Sequence, residues 1–110
     1  MTDAYTDLNR QFIAGEWRKG GAGQTMESTD PYTGDVLTKI DAASEDDLNA
    51  AYDAAREAQQ DWAGKAPAER TAVLRKAVSI FEDRHEEIVD WLIKESGSTR
   101  IKAEAEWSNA

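Results

Sequence analysis

The sequence has no cysteine, two prolines and a single histidine, His85, in 110 residues. Without a thiol there is no disulfide framework, no thiolate nucleophile, no zinc knuckle and no iron–sulfur cluster. One imidazole cannot by itself build a His-based metal site. No apolar run approaches the ~20 residues of a membrane span, and residues 1–10 are polar and acidic, unlike a secretory leader. The expectation is a soluble, cytoplasmic protein.

Large aliphatic side chains are also scarce. Hydrophobic residues make up 40% of the chain, but 18 of them are alanines, and Val, Ile, Leu and Phe together number 17. That is below the ~20% under which a highly charged chain tends toward disorder. Thirteen basic residues face 22 acidic ones, for a net charge of −9. A surplus of that sign repels phosphate backbones and speaks against nucleic-acid binding. One small domain is the natural prior at this length. Either the chain is partly unfolded alone, or its helices finish their burial against something the sequence does not contain.

What is present divides near residue 43. In the first part, Gln11-Phe12-Ile13 leads through Ala14-Gly15 into Glu16-Trp17-Arg18, a pattern for a short hairpin with Gly15 supplying a positive φ. Residues 25–29 are a weaker strand candidate. Asp30-Pro31-Tyr32-Thr33-Gly34 is a turn, because Pro31 fixes φ, Asp30 can accept from downstream amides and Gly34 closes the bend. Residues 36–40 favour a strand by β-propensity.

From Ser44 onward the period changes from two to 3.6. Ser44 with Asp47 three residues later forms a capping box, and Glu45, Asp46 and Asp47 suit the positive end of a helix dipole. Leu48, Ala51, Tyr52, Ala55, Ala58 and Trp62 make one apolar stripe on a helix expected over 44–60. Gly64 and Pro67 end that pattern and start a second helix, expected over 67–83, with Val73, Leu74, Ala77, Ile80 and Phe81 on one side. The repeat continues through Ile88, Val89, Leu92 and Ile93 to Glu95, with a continuous helix and a break near Arg84-His85 both open. Gly97 fits a helix C′ position. Ser98 or Thr99 can cap a last helix carrying Ile101, Ala105 and Trp107, which the chain end interrupts.

Several groups invite a chemical reading. Gly20, Gly21 and Gly23 resemble a phosphate loop, but no helical stripe follows and there is no Gly-Lys-Ser/Thr, so a flexible connector is preferred. His85-Glu86-Glu87 resembles the start of a zincin helix, yet Val89 stands where the second His belongs, which favours a solvated helix junction. Glu86 with Asp90, or Glu82 with Glu86, could serve as acid and base only in a buried pocket, and surface pairing with Arg84 and Lys94 is simpler. Glu104 and Glu106 lie on different helix faces. Trp17, Trp62 and Trp91 are read as packing anchors between layers ahead of a ligand platform. Arg70, Arg75 and Arg84 are read as a solvated or ion-paired face. No residue is assigned to a catalytic, cofactor-binding or metal site.

Taken in order, these motifs resemble the aldehyde dehydrogenase family from about Phe12 to Ala110. Phe12-Ile13-Ala14-Gly15-Glu16-Trp17 resembles the family's N-terminal hairpin. Asp30-Pro31-Tyr32-Thr33-Gly34-Asp35-Val36 resembles its N-P-x-T-G-E turn, with Asp30 and Asp35 replacing Asn and Glu. Trp62, Pro67-Ala68-Glu69-Arg70 and Leu74-Arg75 resemble its W-x-x-x-x-P-x-x-E-R-x-x-x-L-R stretch. Glu95-Ser96-Gly97-Ser98 resembles its E-T-G-K helix end, with Ser98 in place of Lys, and the continuation through Thr99-Arg100 is similar to members acting on aromatic aldehydes.

The resemblance implies an α/β fold: an N-terminal hairpin and short strands, then three or four amphipathic helices, on the periphery of an NAD(P)-binding Rossmann-type domain. Residues 1–110 are one N-terminal fragment of that domain, with a strand and turn part over 1–43 and a helical part over 44–110. It implies oxidation of an aldehyde to a carboxylate with NAD or NADP. A Cys thiolate attacks the carbonyl, an amide and an Asn hold the oxyanion, hydride leaves to nicotinamide and a Glu activates the water. None of those groups falls on this sequence, so the fragment alone is expected to bind no cofactor and to be inactive. Its partners are the remainder of the fold or a further copy of itself. The rival reading is a stand-alone helical interaction module or gene remnant without catalysis.

Overall fold

The computed structural model describes residues 9–110, so the first eight residues of the strand and turn part lie outside the described residues. The first hairpin joins β1 (Gln11–Ile13) antiparallel to β2 (Glu16–Arg18), with Phe12 opposite Trp17. Both turn residues take positive φ, 53° at Ala14 and 82° at Gly15, the handedness that matches the twist of the strands. Phe12 and Trp17 pack ring to ring at 5.2 Å on the exposed side, and Ile13 turns inward and is buried.

A second hairpin joins β3 (Thr25–Thr29) to β4 (Val36–Asp41), one residue longer than the β-propensity of 36–40 implies. Its turn forms as the sequence dictates. Asp30 Oδ1 accepts from the amides of Tyr32 at 2.8 Å and Thr33 at 3.2 Å, and Gly34 donates to the Asp30 carbonyl at 2.8 Å. The two hairpins are separate two-stranded sheets.

Helix α1 (Glu45–Gly64) begins with the expected capping box: Asp47 N donates to Ser44 Oγ at 3.1 Å and Ser44 N donates back to Asp47 Oδ2 at 2.9 Å. It runs four residues past the expected end at residue 60. Gly64 is tolerated as the last helical residue, and the stop comes from Lys65 and Ala66, both extended ahead of Pro67. Helix α2 (Pro67–Asp83) has the expected bounds, with Pro67 at its first turn and Glu69 closing on the Ala66 amide at 3.0 Å.

The open question at residues 84–85 resolves as a break. Arg84, at φ −101° and ψ 18°, leaves the helical region, and α3 (His85–Ser96) starts anew. Gly97 ends α3 in the left-handed conformation, φ 68°. Thr99, rather than Ser98, caps α4 (Arg100–Asn109), its hydroxyl accepting from Lys102 N at 3.3 Å.

The apolar stripes of α1 and α2 are left largely open. Among the described residues the buried hydrophobic side chains are Ile13, Val89 and Ala103. Helix α1 turns a small face inward, with Asp47 buried and Ala50, Ala51 and Ala54 half-buried, and leaves Leu48, Tyr52 and Trp62 exposed. Helix α2 has no buried residue at all, and Val73, Leu74, Val78 and Ile80 face solvent. Trp17 and Trp62, read as packing anchors, are exposed here, with no second layer above either among the described residues. Helix α4 is also turned from expectation: Ile101 is 85% exposed, and the pair four apart, Ala103 and Trp107, faces α3 instead. The molecule is a slab of 47 × 37 × 21 Å. Its radius of gyration is 16.9 Å, against about 13 Å for a closed domain of this length.

Candidate functional site

Two side-chain clusters tie the slab together. In the first, Asp47 Oδ2 accepts from Gly21 N at 2.7 Å, from Ser44 N at 2.9 Å and from Ser44 Oγ at 3.0 Å, while Arg18 stands 3.9 Å from Oδ1. The Ser44 amide first, then the Gly21 amide, holds the Asp47 carboxyl below the usual carboxylate range. Ala22 N donates to the Ala42 carbonyl at 3.1 Å, and Gly20 is buried against the end of β4. The glycine stretch is therefore a connector, as read, and one fastened by hydrogen bonds.

This loop is the stretch whose glycines resemble a phosphate cradle. The residues do not fit that group: the Gly21 and Ala22 amides are already committed, and the nearest side chain is a carboxylate that repels phosphate. The latch gives a pH dependence with a definite sign. Because the folded-state pKa of Asp47 is depressed, its contribution to stability is complete above the unfolded Asp value of about 3.9 and is lost as pH falls through the lower folded value. Acid titration followed by circular dichroism should show this loss in the chain, and Asp47→Asn should flatten it while lowering stability at neutral pH.

The second cluster joins α3 to α4. His85 Nε2 lies 2.6 Å from Glu104 Oε2 and Nδ1 lies 3.5 Å from Glu86 Oε1, with the ring 4.3 Å from Trp107. Trp107 in turn stacks on Phe81, 5.9 Å away and 4° from parallel. His85 stands at the helix junction, as read, but half-buried; it starts α3 where α2, α3 and α4 converge.

Three ligand atoms of His85, Glu86 and Glu104 lie within 4.8 Å of one another, a spacing a metal ion could span. A cation already answers those carboxylates: Arg100 reaches Asp90 at 2.8 Å, Glu86 at 3.5 Å and Glu104 at 3.6 Å. The hydrogen bond to Asp90 is the main cause that raises the Arg100 pKa. A fixed guanidinium at both carboxylates opposes a dication, and the cluster acts as a clasp between helices. Glu86 and Asp90 share this arginine. Arg84 itself grips Glu87 with two hydrogen bonds, at 2.9 and 2.5 Å, which lowers the Glu87 pKa. Glu106 faces away and pairs with Lys102.

Trp91 lines a cleft of about 270 Å³ between the second hairpin and α3, with Ile40, Ile88 and Leu92. Ser28 Oγ donates to Glu95 Oε1 at 3.3 Å across its mouth. Of the residues that fasten the slab, sequence reading gave Asp47 only its capping role and gave Arg100 none. The spacing of Ala103 and Trp107 was the available signal for the α3–α4 face.

Two antiparallel hairpins feed four helices, and among the described residues the apolar faces of α1 and α2 are left open. Residues 17–110 match the aldehyde dehydrogenase family, and the chain belongs to that family. It is 43% identical over 105 residues to a vanillin dehydrogenase of Corynebacterium glutamicum, covering 96% of this chain and 22% of that protein. It is 38% identical over 99 residues to a benzaldehyde dehydrogenase of Bacillus subtilis, covering 90% of this chain and 20% of that protein. The crystal structure of an NAD-dependent benzaldehyde dehydrogenase from Corynebacterium glutamicum superposes with a TM-score of 0.90 at 42% identity, covering 96% of this chain and 23% of that one. The chain therefore spans about a fifth of the length of the curated relatives it matches. No helix among the described residues is long and apolar enough to cross a membrane.

Proposed function

We propose that this chain is the N-terminal part of an NAD(P)-dependent aldehyde dehydrogenase that oxidises aromatic aldehydes to carboxylates, and that the 110 residues alone are inactive. The observation that carries the reading is the match along nearly the whole chain to relatives named for vanillin and benzaldehyde. The inactivity follows from chemistry: a thiolate must attack the carbonyl, and the sequence contains no cysteine to supply one.

On this reading NAD or NADP is held elsewhere in the fold, and the role of these residues is architectural. The hairpins and helices form an outer layer, and the remainder of the enzyme covers the exposed sides of α1 and α2. The complete enzyme works in the cytoplasm as an oligomer.

The test is an assay of reduced nicotinamide with benzaldehyde or vanillin and either cofactor. The pure 110-residue chain should give none. A chimera in which it replaces the matching segment of the Bacillus subtilis benzaldehyde dehydrogenase should fold and turn over. Activity in the isolated chain would refute the inert-fragment reading, and a folded but dead chimera would count against the architectural role.

A further inference from the structure

A protein of 12.2 kDa with a closed core exposes about 6,100 Å². This chain exposes 8399 Å². The surplus of about 2,300 Å² is spread over the first hairpin, α1 and α2, and a share of it on α2 is enough for the roughly 800 Å² per partner of a standard interface. Its most continuous apolar part is α2, where Val73, Leu74, Ala77 and Val78 follow one side of a helix without a buried residue, beside Phe81 on which Trp107 already stacks.

Charge does not keep α2 from a copy of itself. The chain as a whole is at −9, but α2 balances Glu69, Glu82 and Asp83 against Arg70, Arg75 and Lys76. The signs are also distributed usefully. Arg70, whose Nε is buried without a hydrogen-bond partner, lies near the start of the helix, and Glu82 lies near its end. Two such helices laid antiparallel bring the arginine of each toward the glutamate of the other, the self-complementarity a two-fold interface requires.

We propose that in the isolated 110-residue polypeptide a second copy covers this face, α2 against α2 about a two-fold axis. The inference rests on the reading above that the face is built to be covered, and it names what covers it when the remainder of an enzyme is absent.

Sedimentation equilibrium of the pure chain should give twice the monomer mass. The absence of native cysteine allows a clean cross-linking test. Ala77→Cys, near the middle of α2, should close a disulfide between copies on oxidation, and Thr33→Cys in the exposed β3–β4 turn should not. Circular dichroism of both variants checks that the helices persist. A monomer without a cooperative melt would overturn the second copy and leave the family reading intact. A monomer with a sharp melt would overturn the second copy and the reading that the face is built to be covered, because the face would then need no cover. A dimer that links through Thr33→Cys and not Ala77→Cys would place the contact elsewhere and overturn the proposal.

Discussion

Gly20→Ala is expected to unfasten the loop from β4, lower the urea midpoint of the chain and cost about 1–3 kcal/mol, the range for forcing extra atoms into a filled site. A Cβ at Gly20 would lie within the van der Waals shells of the Asp41 and Ala42 carbonyl oxygens. Those are backbone atoms and cannot swing aside. Relief requires the loop to lift, and lifting it withdraws the Gly21 amide from Asp47 and the Ala22 amide from Ala42. Gly23→Ala is the useful comparison, since a Cβ there meets nothing within 4 Å and only its φ of 69° resists the change. Equal effects at the two positions would mean that backbone freedom, and not close approach, governs the loop.

Trp107→Ala should open the junction of α2, α3 and α4. The indole stacks on Phe81, covers one face of His85 and is half-buried, so about half the 3–5 kcal/mol of a fully buried aromatic truncation is expected, roughly 2 kcal/mol. Trp107→Phe separates the two contributions of the ring. Its Nε1 is buried with no hydrogen-bond partner, so removing it discards an unsatisfied donor while keeping most of the aromatic contact. Urea denaturation followed by circular dichroism should therefore place the Phe variant near the parent and the Ala variant well below it. A Phe variant as unstable as the Ala variant would mean that the indole nitrogen has an unrecognised role.

The local signals in the sequence were strong, and the local structure obeyed them. Asp30, Pro31 and Gly34 specify their turn within five residues, Ser44 and Asp47 specify a helix start, and Pro67 specifies another. Each depends on contacts a few residues apart, which a linear reading can see. The bond from Gly21 to Asp47 spans 26 residues and the contact of His85 with Glu104 spans 19, so both follow only from how the elements are placed. The apolar stripes were legible as stripes, but which way they faced was not. On α1 Ala50, Ala51 and Ala54 went inward, and Leu48, Tyr52, Ala55, Ala58 and Trp62 went outward, because periodicity marks a face without saying what will lie on it. The fastening of the glycine loop was hidden for a related reason: three glycines signal permissive backbone, and only the fold shows that the permission is used for tight contact at Gly20. The family resemblance carried the fold class. The reactive groups it implies have no residues here on which to land.

The left-handed turn at Gly97 reaches beyond its own helix. A Cβ there would stand 2.9 Å from Pro31 Cγ, so the tip of the second hairpin abuts the terminus of α3 as a doorstop abuts a door. Sequence drift at either residue is thereby constrained by the other, although 66 positions of chain separate them. Lengthening the Asp30–Gly34 bend would push on the helix end, and bulk added at residue 97 would be felt first in the hairpin.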